Sequence, residues 1–292
     1  MKEERKGEII MYIAASIWSF FPVITILSYG RLPSLLSLAW TTIIASIFFL
    51  AIVIYKKTWN DFKNILLWKY VSGVVVFIGI FYYALYYIGL TKTTAGNAGI
   101  IALFEILTSF LFFHIIKKDH ISRTHSIGVF CMIVGAVIVL APNFHGIQAG
   151  DFIILLATFF PPIGNMFQQK AKNIASTESI LFLRSILSVP IIFAIAFIMG
   201  SHVAFHQVIL SLPYLLVSGV IIFGLDKILW LEAINRISVT KALALNSIAP
   251  LLTLVVAFVI LHQAPTWWQI TSLIPMTFGV LLLTDNLKLK NV

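Results

Sequence analysis

The chain has 292 residues; 60% are hydrophobic, 11% are charged, and the formal net charge is +9. Soluble domains hold about 45–50% apolar and about 25% charged residues, and a water-facing fold of this size could not hide the surplus. Composition therefore argues against a soluble enzyme, a disordered chain and a nucleic-acid-binding module.

A helix needs about 20 apolar residues to cross the hydrocarbon core. Ten such stretches follow one another, at 9–28, 34–55, 70–90, 95–116, 125–141, 150–170, 179–199, 212–234, 242–261 and 267–284. They use most of the chain. The first is too long for the apolar stretch of a cleaved signal peptide, and it carries Trp18 and Pro22 where small residues would be expected. The longest connector, between Lys56 and Lys69, mixes charged and aromatic residues and reads as an interfacial segment. The fold expected is an all-α polytopic membrane protein.

Lys and Arg in the connectors set orientation. Sixteen of the 20 lie at the N-terminus, at the C-terminus or in the even-numbered connectors, and only Arg31 and Lys92 lie in the others. Both termini are therefore expected in the cytoplasm. Arg184 and Lys227 lie inside spans.

The two halves resemble each other at a spacing near 145. Val71-Ser72-Gly73-Val74 recurs as Val217-Ser218-Gly219-Val220, Gly7-Glu8-Ile9 as Gly150-Asp151-Phe152, Thr108 as Thr253 and Gly135 as Gly279. Two repeats of five spans, 1–145 and 146–292, are expected. Five is odd, so they insert in opposite orientations. Inverted repeats with a site near the bilayer midplane are a transporter architecture.

The sequence resembles the drug/metabolite transporter superfamily, in particular its EamA-type ten-span members. The resemblance rests on Trp18 and Pro22 in the first span, Arg184 in the seventh, Leu245-Asn246-Ser247-Ile248-Ala249-Pro250 in the ninth and Gly279-Val280-Leu281-Leu282 near the end. The first repeat departs from the family pattern: Trp40 stands at its arginine position and Glu105 at its mid-helix proline position. The resemblance implies export, often of amino acids or related metabolites, with proton coupling in some members.

Ionisable groups inside spans are expensive and mark candidate sites. There are five: Glu105, Arg184, Asp226, Lys227 and Glu232. On a continuous fourth helix Glu105 shares a face with Asn97 and Thr108, and the ninth-span counterpart carries Asn246, Pro250 and Thr253. Glu105 could titrate or bind a cationic group, or be held permanently by Lys227 or Arg184. Adjacent residues on a helix do not face each other, so Asp226 and Lys227 are expected to find different partners, Arg184 for the first and Glu105 for the second. Asp226 shares a face with Trp230. Arg184 could hold an anionic group, gate, or snorkel to headgroups. Glu232 is expected to pair with Arg236. Tyr82 and Tyr86 could stack on a solute or sit in an interfacial belt, and Trp18 and Trp40 could line a cavity or face lipid.

No phosphate-binding loop, hydrolase motif or cysteine-based metal cluster is present, so neither a cofactor nor an enzymatic activity is expected. His202 and His206, four apart, carry no carboxylate nearby in sequence. The expected function is a secondary transporter of a small polar or amphiphilic metabolite, amino-acid- or amine-like, in the cytoplasmic membrane of a bacterium. Protons are a candidate coupling ion, and the chain would act as a monomer or homodimer. A flippase of a lipid-linked substrate and an intramembrane lipid-modifying enzyme are the rival readings.

Overall fold

The computed structural model describes residues 2–117, 122–140, 148–237 and 239–284. Among these every regular element is helical. Nine helical stretches are long and apolar enough to cross a membrane: Glu3–Ser28, Ser34–Lys56, Ile65–Leu90, Ala95–His114, Arg123–Leu140, Ala149–Lys172, Thr177–Ile198, Phe205–Ile234 and Ala244–Leu261. The tenth, Trp267–Leu283, is apolar but has 17 residues. The third span begins five residues earlier than expected and the eighth seven, because Asn64 caps the helix from Ile65 by accepting from the Leu66 amide and Pro213 sits inside an unbroken helix. Expected features at Lys118, Ala141, Lys288 and Lys290 lie outside the described residues.

Four spans are interrupted at matching places in the two repeats. The first breaks between α1 (Lys2–Trp18) and α2 (Phe21–Ser28), and the sixth between α3 (Ala149–Ala157) and α4 (Pro161–Lys172). The breaks carry one motif, Ser19-Phe20-Phe21-Pro22 and Thr158-Phe159-Phe160-Pro161. Proline is tolerated in the first turn of a new helix and not inside an old one. The fourth span breaks at Leu103, between Ala95–Ala102 and Phe104–Lys117, and the ninth at Ser247-Ile248, between Val239–Asn246 and Ala249–Leu261. Pro250 accounts for the ninth-span break. The fourth-span break occurs with Glu105 in place of proline, so it belongs to the fold and not to one residue.

The third and eighth spans instead carry wide π turns, Val75–Tyr82 and Val217–Leu225. Each wide turn shifts the face on which later side chains emerge.

The chain forms two compact units, each drawing segments from both halves of the sequence. Unit 1 comprises Met1–Val23, Lys92–Phe159 and Leu229–Val292, and unit 2 comprises Ile24–Thr91 and Phe160–Ile228. Inside unit 1, Met11 and Ala14 pack with Ala233, Ile237 and Ala242. Inside unit 2, Leu67, Val71, Val75 and Ile80 pack with Ala171, Ile180 and Leu183. Lipid is as apolar as leucine, so packing between spans depends on close approach through small residues. In unit 1 a Cβ on Gly279 would stand 2.8 Å from the Gly128 carbonyl oxygen. In unit 2 a Cβ on Gly164 would meet Ile78 at 2.4 Å. Large apolar side chains such as Ile198, Val259 and Ile274 are 86%, 65% and 71% exposed, which suits a surface solvated by hydrocarbon.

Candidate solute-binding site

Arg184, Asp226, Lys227, Tyr82 and Tyr86 all lie in unit 2. The seventh span (Thr177–Ile198) starts where Ser176 caps it, accepting from the Ser179 amide. It carries Arg184 two turns in. Arg184 reaches the third span because Gly79, in the π turn, has no Cβ: one there would stand 2.2 Å from the Ser188 hydroxyl and 3.7 Å from Arg184 Cγ. The guanidinium carbon then lies 6.0 Å from the Tyr83 ring centroid, a cation–π distance.

Tyr83 belongs to an aromatic group. Its ring lies 5.0 Å from Tyr82 and 4.6 Å from Phe223, and Tyr82 lies 5.9 Å from Tyr86. Tyr82 and Tyr86 are 5% and 1% exposed, so these rings are buried and do not form a lipid-facing belt.

Asp226 and Lys227 begin the helix that follows the eighth-span π turn. Contrary to the expectation from helical spacing, they pair with each other: Lys227 Nζ lies 3.0 Å from Asp226 Oδ2. The four-carbon lysine stem curls back around the helix, which the Cβ directions alone forbid. A buried carboxylate must be paired, and its nearest cation is its neighbour. The expected Asp226–Arg184 ion pair is absent among the described residues. Lys227 sits within electrostatic range of Arg184 and Tyr83. Lys227 thus stands between the Asp226 carboxylate and the Arg184 and Tyr83 pair.

The other candidates are placed differently. Trp40 packs edge-on against Phe193 at 5.8 Å in unit 2, beside the Leu32, Val208 and Leu215 cluster. Trp18 stacks on Phe21 at 4.6 Å in unit 1, and Trp230 packs on the Met11 and Ala233 cluster there. Glu105 is half-buried in the first turn after the Leu103 break. Asn97 lies before the break, and Glu105 and Thr108 lie after it on one helix. Asn246 is half-buried at the end of Val239–Asn246. Glu232 pairs with Arg236 as expected.

Asn97 belongs to a buried polar network in unit 1. Its side-chain amide donates to Asp151 Oδ2 at 3.0 Å, and the Thr93 hydroxyl donates to Asp151 Oδ1. Gln269 Nε2 donates to Asn97 Oδ1 at 2.7 Å and to Thr94 Oγ1 at 3.2 Å. Asp151 and Asn97 lie in the first turns of their helices, so two positive helix ends meet at a fully buried carboxylate, and Gln269, in the first turn of a third helix, joins them through Asn97. In sequence Asp151 is the second residue of the sixth apolar stretch and part of the repeated Gly150-Asp151-Phe152 segment, where it reads as a mark of the span's start. Gln269 was legible in principle, since Thr266-Trp267-Trp268-Gln269 is a capping box.

The sequence profile of the EamA-like transporter family matches residues 5–141 and 148–285, once in each half. An uncharacterized transporter of Methanothermobacter thermautotrophicus is 27% identical over 236 residues, which cover 78% of this chain and 66% of that protein. The uncharacterized transporter YetK of Bacillus subtilis is 24% identical over 131 residues, 44% of this chain and 40% of that one. The chain thus spans less than two thirds of the length of either relative. A solved crystal structure superposes with TM-score 0.70 at 17% identity, covering 97% of this chain and 98% of that one, a likeness of fold.

Proposed function

The chain belongs to the EamA-like transporter family, and on that premise we propose that it is a secondary transporter of a small polar or amphiphilic metabolite, amino-acid- or amine-like. One observation carries the choice of solute: the Asp226–Lys227 pair stands beside Arg184 and Tyr83 inside apolar spans. Charges so placed are costly unless they serve a polar cargo. The four interrupted spans support alternating access, because discontinuous helices leave main-chain groups to re-pair as segments rock. Transport is outward, with protons as the coupling ion. The chain sits in the bacterial cytoplasmic membrane with both termini inside.

Purified protein in liposomes, given a panel of amino acids and amines with and without a pH gradient, tests this reading. Movement of at least one solute, accelerated by the gradient, is expected. If nothing moves under any gradient, the reading is wrong. Orientation is tested on a chain with Cys131 replaced by serine and Ser201 by cysteine. An impermeant thiol reagent is expected to label it from outside, and labelling only from inside would invert the topology.

A further inference from the structure

Where the second span meets the third, acidic and basic groups have different surroundings. The second span ends at Lys56, and Lys57, in the left-handed region at φ 57°, turns the chain into the 3-10 helix Thr58–Lys63. The acidic groups are taken up by the protein. Asp61 accepts from the Ser176 amide and hydroxyl at 2.9 and 2.7 Å, and Glu178, with a side chain 8% exposed, pairs with Lys56 at 3.4 Å. The Ser179 hydroxyl donates to Thr58 Oγ1 at 3.2 Å. The basic groups face outward. Lys57, Lys63 and Lys69 are exposed, and among the described residues none of them makes an ion pair. Next to them in the chain stand exposed rings. Trp59 is 46% exposed and Trp68 39%, and the Trp68 indole N–H is anchored on the Phe62 carbonyl at 2.9 Å. In unit 1 the cations are used differently: Lys6 pairs with Glu3, and Arg236 pairs with Glu3 and Glu232.

We propose that Lys57, Lys63 and Lys69, with Trp59 and Trp68, form a docking surface for the headgroup of an anionic phospholipid. Charge complementarity selects the partner. Lysines without a carboxylate partner at the end of a span attract an anionic headgroup, and the attraction fades within a Debye length, so it acts on the lipids lying against this end. The rings select a lipid over a soluble anion. Tryptophan settles at headgroup level, one part of it among the acyl chains. Ile65, 78% exposed, and Leu66, 46% exposed, continue that apolar part in the first turn of the third span. A soluble acidic partner would meet the lysines and leave these side chains in water. Because Thr58 and Asp61 tie the segment to Ser179 and Ser176, an occupied surface also steadies the start of the seventh span, and binding registers in stability. The surface is independent of the solute carried.

The test uses the full chain in a neutral detergent, titrated with phosphatidylglycerol or with phosphatidylcholine of the same acyl chains. Binding is read as a rise in unfolding temperature. Phosphatidylglycerol is expected to act at a concentration at least about tenfold lower, and the difference is expected to shrink as salt is raised. Lys57→Gln, Lys63→Gln and Lys69→Gln are each expected to weaken the phosphatidylglycerol effect about fivefold, and the triple variant to treat the two lipids alike. Lys6→Gln is the control and is expected to keep the preference. Equal stabilisation of the unaltered protein by the two lipids overturns the proposal, and this comparison needs no variant to fold. So does a triple variant that keeps the preference, a Lys6→Gln variant that loses it to the same degree, or a preference indifferent to salt. Inorganic phosphate at the same concentration is expected to do nothing. If it reproduces the effect of phosphatidylglycerol, the lysines hold a free anion and the lipid surface is refuted.

Discussion

The Thr253 hydroxyl donates to the main-chain oxygen of Ser19 at 3.0 Å, and the Thr108 hydroxyl donates to that of Thr158 at 2.6 Å. These are the same contact made twice. Thr108 and Thr253 stand at matching positions of the fourth and ninth spans, and Ser19 and Thr158 open the two Phe-Phe-Pro breaks. Each repeat therefore caps the broken helix of the other, and all four residues lie in unit 1. A carbonyl released by a break has no water to turn to in hydrocarbon. Replacing either threonine with valine keeps the shape and orphans the carbonyl, at a cost of about 1–3 kcal/mol. Thr42 is the control, because its hydroxyl only back-bonds to Leu38 within one helix. Thermal unfolding in detergent is expected to fall for T108V and T253V and to stay near the parent for T42V. Equal midpoints for all three would mean that the caps are incidental.

The same unit is closed elsewhere by contact between backbones. A Cβ on Gly279 would meet Gly128 O at 2.8 Å and one on Gly128 would meet Gly279 O at 3.1 Å. Neither clash can be relieved by a side-chain rotation. Gly279→Ala should lower stability by about 1–3 kcal/mol by overpacking. Gly30→Ala is the comparison, because its nearest neighbour would be 3.6 Å away. If Gly279→Ala unfolds at the parent temperature, the fifth and tenth spans are not locked in this way.

The ten apolar stretches were legible because membrane helices are long and declare themselves by composition. Thr108 and Thr253 were legible as a repeat pair, though their task was not. It depends on breaks that only Pro22, Pro161 and Pro250 announce, and Leu103 breaks a helix without any proline. The pairing of Asp226 with Lys227 was hidden because the spacing rule follows Cβ directions, whereas a lysine stem can curl back. The approach of Arg184 to the Tyr83 ring was hidden because it depends on a glycine, Gly79, in another span.

Removing one member of a buried pair strands the other, so Asp226 and Lys227 should be strongly coupled. Asp226→Asn and Lys227→Gln are each expected to destabilise by a few kcal/mol, reduced somewhat because the lysine side chain is 20% exposed. The double variant is expected to lose less than the two singles together, with a coupling of about 1–3 kcal/mol. Unfolding midpoints of the three variants in one detergent close the cycle. Strict additivity would show that the two charges serve other partners.

The start of the seventh span offers a pH-dependent contact outside the apolar core. Asp61, in the short 3-10 helix Thr58–Lys63, accepts from the Ser176 amide at 2.9 Å and from its hydroxyl at 2.7 Å. Burial by itself raises the Asp61 carboxyl, and the two Ser176 donors outweigh it and hold the group below its ordinary range. Ser179, Lys56 and Glu178 complete the surroundings: Ser179 joins the Ser176 hydroxyl at 2.9 Å, and Lys56 stands 3.4 Å from Glu178. A carboxyl depressed in the folded state contributes stability that is whole above the unfolded value, about 3.9. That contribution disappears as pH falls through the lower, folded value. Asp61→Asn should therefore unfold below the parent at pH 6–7, by about 1 kcal/mol. The two proteins should converge as pH drops below about 4. Unfolding midpoints of both proteins between pH 3 and 7 decide it. A gap that persists unchanged into acid would assign the loss to the amide substitution and remove the ionised Asp61–Ser176 contact from the account.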